Sequence, residues 1–101
     1  MAYNEGVRFE WDPEKDSANQ AKHDVGFEEA KQLFVSGVDY LEIFDQAHSD
    51  DEERFVAIGP IRRGVVLVVW AECTEDCIRI ISARWATRRE RAIYRHHMEH
   101  Q

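Results

Sequence analysis

A strand pattern runs directly into a capped helix in the stretch Arg79-Ile80-Ile81-Ser82-Ala83-Arg84-Trp85-Ala86-Thr87-Arg88-Arg89-Glu90-Arg91-Ala92-Ile93-Tyr94-Arg95-His96-His97. The residues from Cys77 to Arg84 predict a strand. Thr87-x-x-Glu90 is a capping box, because each of its side chains can accept a hydrogen bond from an N–H that the first helical turn leaves unpaired. The sequence therefore predicts a helix that begins at Thr87.

Three further strands are predicted before this junction. Residues Val65 to Ala71 are nearly all apolar, which is typical of a central strand covered on both faces. Arg54 to Ile58 is a second strand, joined to it by a turn from Gly59 to Gly64. Val38 to Phe44 is the remaining strand, and a polar loop follows it from Asp45 to Glu53. Together with Cys77 to Arg84, these segments predict a four-stranded antiparallel meander.

Two helices are predicted in the N-terminal part. Phe9-Glu10-Trp11 is a short strand or an anchoring segment. Asp12-Pro13 then predicts the start of a helix, because Asp is a good N-cap and Pro suits the first helical position. We expect this helix to run to about His23. After Gly26, a second helix has an apolar stripe of Phe27, Ala30, Leu33 and Phe34. Segregated helices and strands predict an α+β fold, as a single domain over residues 1–101.

Charge is distributed unevenly along the chain, which has a net charge of −7. Residues 1–53 hold 4 basic and 15 acidic side chains, whereas residues 54–101 hold 9 arginines, no lysine and 5 acidic side chains. Residues 1–53 therefore have a net charge of −11, and residues 54–101 have a net charge of +4. A basic face can coexist with an acidic one, so the second half permits binding to phosphate despite the acidic total.

The two cysteines and the histidines give little support for a metal site. Cys73-x3-Cys77 followed by His96-x3-His100 faintly resembles a zinc pattern, but the 18 residues between the two pairs are too many for a compact finger. We expect no metal, no cofactor and no disulfide framework. No apolar run is long enough to span a bilayer and Met1 to Glu10 has no signal segment, so we expect a cytoplasmic protein that does not contact a membrane.

Arginines, a tyrosine and histidines form the candidate chemical site. Alternation along the strand predicts Arg79 on one face of the sheet and Arg84 on the other. On the final helix, Arg88, Arg91 and Arg95 form one basic ridge, and Tyr94 lies beside Arg91. An alternative for each strand arginine is a structural ion pair with Glu42, Glu53 or Glu72. For Tyr94 the alternative is a half-buried ring with a solvated hydroxyl.

These groups suit metal-free cleavage of RNA. That reaction requires deprotonation of the 2′-hydroxyl, stabilisation of charge on the phosphorane and protonation of the leaving oxygen. Arginines stabilise the developing charge, and a histidine or a tyrosine transfers protons. The residues also permit an alternative interpretation, in which the protein is not an enzyme. In that case the basic face, or the acidic first half of the chain, binds a protein partner of opposite charge.

The chain resembles the BrnT toxins of the BrnT–BrnA type II toxin–antitoxin systems over nearly its full length. The matching segments are Phe9-Glu10-Trp11-Asp12-Pro13-x-Lys15, Asn19-x-x-Lys22-His23-x-Val25-x-Phe27-x-Glu29-Ala30, Glu53-Arg54-Phe55-x-x-Ile58-Gly59, Val65–Val69, and Arg79-Ile80-Ile81-Ser82-Ala83-Arg84-x-Ala86 with Thr87–Arg91 and Tyr94. The resemblance implies a RelE-like fold and a metal-independent endoribonuclease that arrests growth by blocking translation.

Residue roles and partners also follow from the resemblance. It implies Arg79, Arg84 and Tyr94 as catalytic residues, with His23 as a further candidate. The alternative for His23 is an interaction with the dipole of the helix that it ends. We expect RNA contacts from Lys22, Arg62, Arg63, Arg88, Arg91 and Arg95. The implied partners are the RNA substrate and a BrnA-like ribbon-helix-helix antitoxin, which would form a heterotetramer through its own dimer and provide the only link to DNA.

Overall fold

The computed structural model describes residues 6–46 and 52–101, so residues 47–51 of the predicted polar loop lie outside the described residues. The elements are β1 (Arg8–Glu10), α1 (Pro13–His23), α2 (Phe27–Ala30), α3 (Gln32–Val35), β2 (Leu41–Phe44), β3 (Arg54–Ile61), β4 (Gly64–Thr74), β5 (Cys77–Trp85) and α4 (Arg88–Glu99). The α+β class is confirmed.

The sheet has five described strands in the order β1-β5-β4-β3-β2 and is mixed. The predicted four-stranded antiparallel sheet is wrong in this respect, because β1 pairs in parallel with β5, with Arg8 opposite Cys77 and Glu10 opposite Arg79. The other pairs are antiparallel, as predicted. A short strand at Phe9-Glu10-Trp11 was one of the two sequence interpretations, and β1 covers Phe9 and Glu10. Its parallel pairing with β5 depends on the tertiary fold.

The helices follow local chemistry at their ends. The Asp12 side chain accepts from the Glu14 N–H, and α1 ends at Asp24, whose left-handed backbone (φ 57°) lets its N–H bond the Gln20 carbonyl. The predicted second helix is two short helices that meet at Lys31. Among the described helices, none has both the length and the apolar character to cross a bilayer.

Each face of the sheet has its own apolar cluster. The larger cluster joins α2 and α3 to one face through residues such as Phe27, Leu33, Val68, Trp70 and Ile80. The smaller cluster lies on the opposite face, where Ile58, Leu67 and Ala86 pack with Tyr94 of α4. The sheet therefore separates the N-terminal helices from α4.

Asn19 connects α1 to the outer edge of β5. Its side chain accepts from the Ala83 N–H (3.1 Å) and donates to the carbonyls of Ala83 (2.7 Å) and Val25 (2.8 Å). Among the described residues, Asn19 is the polar residue whose side chain is buried. Because β1 pairs only with residues 77–79, Asn19 takes the place of a strand neighbour at Ala83.

The two cysteines form a disulfide that closes the β4–β5 turn, with a Cα–Cα separation of 5.3 Å. The sequence interpretation of the two cysteines as a separate loop residue and core residue is therefore wrong in this structure. The antiparallel register places Thr74 opposite Cys77, so the hairpin brings Cys73 beside Cys77. Spacing alone does not reveal this proximity, since it depends on where the turn begins.

Candidate functional site

The junction of β5 and α4 fixes the helix against the sheet. The Ala86 N–H donates to the Val65 carbonyl (2.8 Å), which holds the chain beside β4 as it leaves the sheet. Thr87 then caps α4: its hydroxyl accepts from the Glu90 N–H (3.1 Å), and the Glu90 carboxylate accepts from the Thr87 N–H (2.8 Å). The predicted capping box is confirmed.

Arg84 forms a two-pronged ion pair with Glu90. Its Nη1 and Nη2 atoms lie 2.8 Å from the two carboxylate oxygens. The hydrogen bonds from Arg84, reinforced by those from Thr87, lower the pKa of Glu90 from 4.5 to about 2 despite partial burial. The same hydrogen bonds raise the pKa of Arg84. Glu90 thus joins the last strand to the first turn of α4, and the sequence alternatives for this partner, Glu42, Glu53 and Glu72, were wrong.

Arg79 and Arg84 lie on the same face of the sheet, contrary to the sequence prediction. Arg84 is opposite Leu67 and Arg79 is opposite Ala71, and directly opposed residues share a face. Leu67 and Ala71 are four residues apart in β4, so they share a face as well. The five-residue step in β5 contains a bulge, which inserts one residue and reverses the alternation.

The shared face is the one that α4 packs on, because Leu67 belongs to the cluster of Tyr94. The partners of the two arginines are four positions apart in β4, which places the Cα atoms of Arg79 and Arg84 about 13 Å apart. Arg79 is held by Glu10 (2.8 Å) and Glu52 (3.0 Å). Both strand arginines are therefore ion-paired in the structure, and Arg79 lies away from the helix.

Tyr94 lies between the sheet and the basic ridge of α4. Its ring packs in the smaller cluster and its hydroxyl donates to the Asp39 carbonyl over a long 3.4 Å. Burial raises the pKa of Tyr94, and the Asp39 carboxylate raises it further. The hydroxyl is protonated at neutral pH, as in any tyrosine, and its raised pKa disfavours the phenolate further.

A pocket of about 560 Å³ opens beside Tyr94 along one flank of α4. Its lining residues are Val65, Arg88, Arg91, Tyr94, Arg95, Met98 and Glu99. Arg91 is positioned by a hydrogen bond from its Nη1 to the Ala86 carbonyl (3.0 Å). The predicted ridge of Arg88, Arg91 and Arg95 thus surrounds one cavity with Tyr94. Guanidinium groups around a cavity of this size suit a phosphate group.

The remaining predicted site residues lie elsewhere. Lys22 and His23 end α1 beside Asp24, to which Arg63 donates, and the Arg63 guanidinium lies 5.0 Å from the ring of Trp85. Trp85 packs with the larger cluster, on the face opposite Tyr94. The structure therefore does not bring His23 and Lys22 together with Tyr94.

Arg63 has a structural role at the β3–β4 turn. It donates to both carboxylate oxygens of Glu29, at 2.6 and 2.7 Å, and to the Asp24 carbonyl at 2.7 Å. These contacts lower the pKa of Glu29 and raise that of Arg63. The neighbouring Arg62 is exposed and lines a separate, more apolar cleft with Val38 and Ile61. Neither residue reaches the pocket beside Tyr94.

One group of possible metal ligands occurs in the described chain. The ligand atoms of Glu10, Cys73 and Cys77 lie within 4.8 Å of one another. Because the two sulfur atoms are bonded to each other, the thiolates that bind zinc are not available in this state. The group also lies at the Arg79 end of the sheet, away from the pocket.

Sequence reasoning missed Glu10, Glu52 and Glu90 as partners of the strand arginines. Glu90 was visible in the sequence as a capping residue, and its second role could be suspected from Arg84 six positions earlier. Glu10 and Glu52 are 69 and 27 positions from Arg79, so only the fold reveals them.

The family described as ribonuclease toxin, BrnT, of type II toxin-antitoxin system matches residues 11–90. The matched residues include Arg79, Arg84 and Glu90 and end before Arg91, Tyr94 and Arg95. Among solved structures, the chain is similar to the 1.1 Å crystal structure of the Brucella abortus ribonuclease toxin BrnT, with a TM-score of 0.61 and 22% identity over 81% of this chain and 99% of that chain. At this identity the likeness concerns the fold. No curated protein sequence matches the chain. The predicted RelE-like character stays a prediction.

Proposed function

Because the chain belongs to the BrnT family of ribonuclease toxins of type II toxin–antitoxin systems, we propose that it is an endoribonuclease that cleaves RNA without a metal ion and thereby blocks translation. The observation that carries this proposal is the pocket in which Arg88, Arg91 and Arg95 surround Tyr94. We further propose that it acts in the cytoplasm, where RNA is its substrate.

The proposed reaction begins with attack of a 2′-hydroxyl on the adjacent phosphorus. The P–O5′ bond then breaks, which leaves a 2′,3′-cyclic phosphate and a 5′-hydroxyl. The ridge arginines stabilise the extra negative charge on the phosphorane, and such charge stabilisation is usually the largest single contribution to catalysis. Tyr94 donates its proton to the leaving 5′ oxygen, since it lines the pocket and a tyrosine hydroxyl is protonated at neutral pH. Glu99, which lines the same pocket, accepts the proton of the 2′-hydroxyl.

Arg84 supports this site from the sheet. Its ion pair with Glu90 fixes the first turn of α4, from which Arg88 and Arg91 project. We propose Arg79 as a more distant RNA contact on the same face, reached when a phosphate displaces Glu10 or Glu52. His23, Lys22, Arg62 and Arg63 are not assigned a role in the reaction, because they lie away from Tyr94.

Cleavage of a defined RNA in EDTA tests the proposal. Purified protein, free of any antitoxin, should cleave the RNA in EDTA and leave a cyclic phosphate at the new 3′ end. A matched RNA with one 2′-deoxynucleotide at the cleaved position should resist cleavage there. Cleavage only after a divalent metal is added would contradict the metal-independent mechanism.

A second candidate function is a non-catalytic module that binds a charged protein. The pairing of Arg79 and Arg84 with carboxylates favours it, since those guanidinium groups already have partners. In this case the protein should bind its partner without cleaving RNA under any of the conditions above.

The partner that we propose is a BrnA-like antitoxin with a ribbon-helix-helix domain. Two toxins and an antitoxin dimer would form a heterotetramer, and contact with DNA would occur through the antitoxin alone. The mass of the purified complex by light scattering tests this stoichiometry.

A further inference from the structure

The exposed apolar side chains are concentrated in one part of the described chain. Val38, Ile43 and Phe44 are 40%, 43% and 47% exposed; Ile43 and Phe44 lie in β2, and Val38 lies shortly before it. The fourth large apolar side chain of this kind is Ile93, at 45%, on the helix that contacts β2. Single exposed apolar residues are ordinary, but several along one outer strand make that strand a candidate interaction edge.

β2 is the outermost strand of the described sheet, and its apolar residues occupy both faces. Ile43 and Phe44 are consecutive, so they point to opposite sides. Phe44 is the exposed end of an aromatic row, with ring centroids 5.6 Å from Phe55, which in turn lies 4.8 Å from Trp70. Outer strands are usually protected by charged side chains at such positions. An apolar edge on both faces therefore indicates that another strand covers it.

The backbone of β2 is oriented for this pairing. The Asp45 N–H donates to the Arg54 carbonyl (2.8 Å), so Asp45 and Arg54 are a hydrogen-bonded pair of the ladder. Hydrogen-bonded and non-hydrogen-bonded positions alternate along an antiparallel strand. Ile43 thus bonds to β3, and the N–H and C=O of Phe44 point away from it, towards the outer edge.

The negative charge near β2 indicates which kind of strand would pair with it. Asp39, Glu42 and Asp45 lie in or next to β2 in the sequence, within residues 1–53, which have a net charge of −11. A second copy of this edge would bring these carboxylates together, and like charges on opposed strands are unfavourable. A segment with Lys or Arg between its apolar residues would instead be attracted by the negative charge of this edge.

We propose that β2 is the docking edge for the antitoxin, which adds an extended segment of alternating apolar and basic residues as a sixth strand. The inference rests on the proposed function for its partner, because the family matched by the chain acts with an antitoxin. It assigns to β2 the antitoxin contact that inhibits the toxin, on a surface that adjoins Tyr94 through Asp39 and Leu41 but shares no residue with the lining of the pocket.

The test compares Ile43→Glu/Phe44→Glu with Ala18→Glu/Ala21→Glu. Both double variants add two negative charges at exposed positions, and the second pair lies on α1. Calorimetric titration uses the proposed BrnA-like antitoxin. The β2 variant should bind it about a hundredfold more weakly, since each buried large apolar side chain contributes enough for roughly tenfold or more. The α1 variant should bind like the original chain.

Hydrogen–deuterium exchange on the unmodified chain provides a second measurement that does not depend on a variant. The Phe44 amide should exchange more slowly in the complex than in the free chain. Unchanged affinity of the β2 variant, or unchanged exchange at Phe44, overturns the proposal. A dimer of the free chain that the β2 variant loses also overturns it, because the occupant is then a second copy.

The RNA assay separates this inference from the proposed function. The β2 variant should cleave RNA at the original rate and resist inhibition by the antitoxin. If the unmodified chain cleaves no RNA but the β2 variant loses antitoxin binding, the docking edge is supported and the nuclease proposal fails.

Discussion

Arg79 and Arg84 are five positions apart in one strand, yet they share a face of the sheet. The bulge opposite the Val69–Trp70 step of β4 inserts one residue between them and reverses the alternation. Both guanidinium groups therefore lie on the α4 side, about 13 Å apart by strand geometry. Arg84 is held at the start of α4 by Glu90, whereas Arg79 is held at the other end by Glu10 and Glu52.

This difference in position predicts unequal effects on RNA cleavage. Arg84→Gln should slow cleavage about a hundredfold, because it releases the first turn of α4 and removes positive charge near the pocket. Arg79→Gln should stay within about tenfold of the original rate, since it lies beyond the reach of the same phosphate. Single-turnover rates, normalised to folded protein, provide the measurement. A larger loss from Arg79→Gln would place the reacting phosphate at the other end of the sheet.

Tyr94→Phe should isolate the role of the hydroxyl. The ring would still fill the smaller cluster, so we expect little change in stability. Cleavage should fall about a hundredfold, as is typical when a general acid is removed, and RNA binding measured by fluorescence anisotropy should be unchanged. An unaltered cleavage rate would exclude Tyr94 as the proton donor.

The basic ridge should determine how salt affects RNA binding. On single-stranded RNA, each lost phosphate contact lowers the slope of log K against log salt by about 0.7. Arg88→Gln/Arg95→Gln should therefore lower the slope by about 1.4. Arg89→Gln is the matched control, because Arg89 is on the same helix but outside the pocket lining. Equal slopes for the two variants would contradict RNA binding along this ridge.

Glu90 should contribute stability that depends on pH. Its pKa is about 2 in the folded protein and 4.5 ordinarily, so the carboxylate stabilises the fold fully above pH 4.5 and progressively less as the pH falls towards 2. Glu90→Gln keeps an acceptor for the Thr87 N–H and removes the charge. It should lower the free energy of unfolding by about 1–2 kcal/mol at pH 7, allowing for solvent screening of Arg84.

Urea denaturation at pH 7 and pH 3 measures this effect. The difference between the original chain and Glu90→Gln should be smaller at pH 3. Glu72→Gln, at an exposed position of β4, is the control and should behave like the original chain at both values. A difference that is the same at pH 7 and pH 3 would show that the ion pair with Arg84 is not what stabilises the junction.

Asn19→Ala should be strongly destabilising. The substitution leaves the buried Ala83 N–H and two carbonyls without their hydrogen bonds, which should cost about 2–4 kcal/mol in the free energy of unfolding. Gln20→Ala, next to it on the exposed side of α1, should cost less than about 0.5 kcal/mol. Comparable losses for the two variants, measured in urea, would contradict the role of Asn19 as the edge partner of β5.

Local chemistry in the sequence was sufficient for several features of the fold. Asp12-Pro13 and the Thr87–Glu90 capping box predicted the starts of α1 and α4, and the apolar run from Val65 predicted the central strand. Helical spacing predicted the ridge of Arg88, Arg91 and Arg95 beside Tyr94, and these residues do line one pocket. In each case the interacting groups are at most seven residues apart.

The sequence by itself thus determined the order of the antiparallel strands, the caps, the division of charge and the helical ridge, because these depend on neighbouring residues. Only the tertiary structure decided that β1 pairs in parallel with β5 and that a bulge places Arg79 on the same face as Arg84. It also decided that His23 lies apart from Tyr94 and which carboxylates pair with the two strand arginines. Those relationships join segments up to 69 positions apart. Their energies depend on how the sheet closes, which no local pattern of residues encodes.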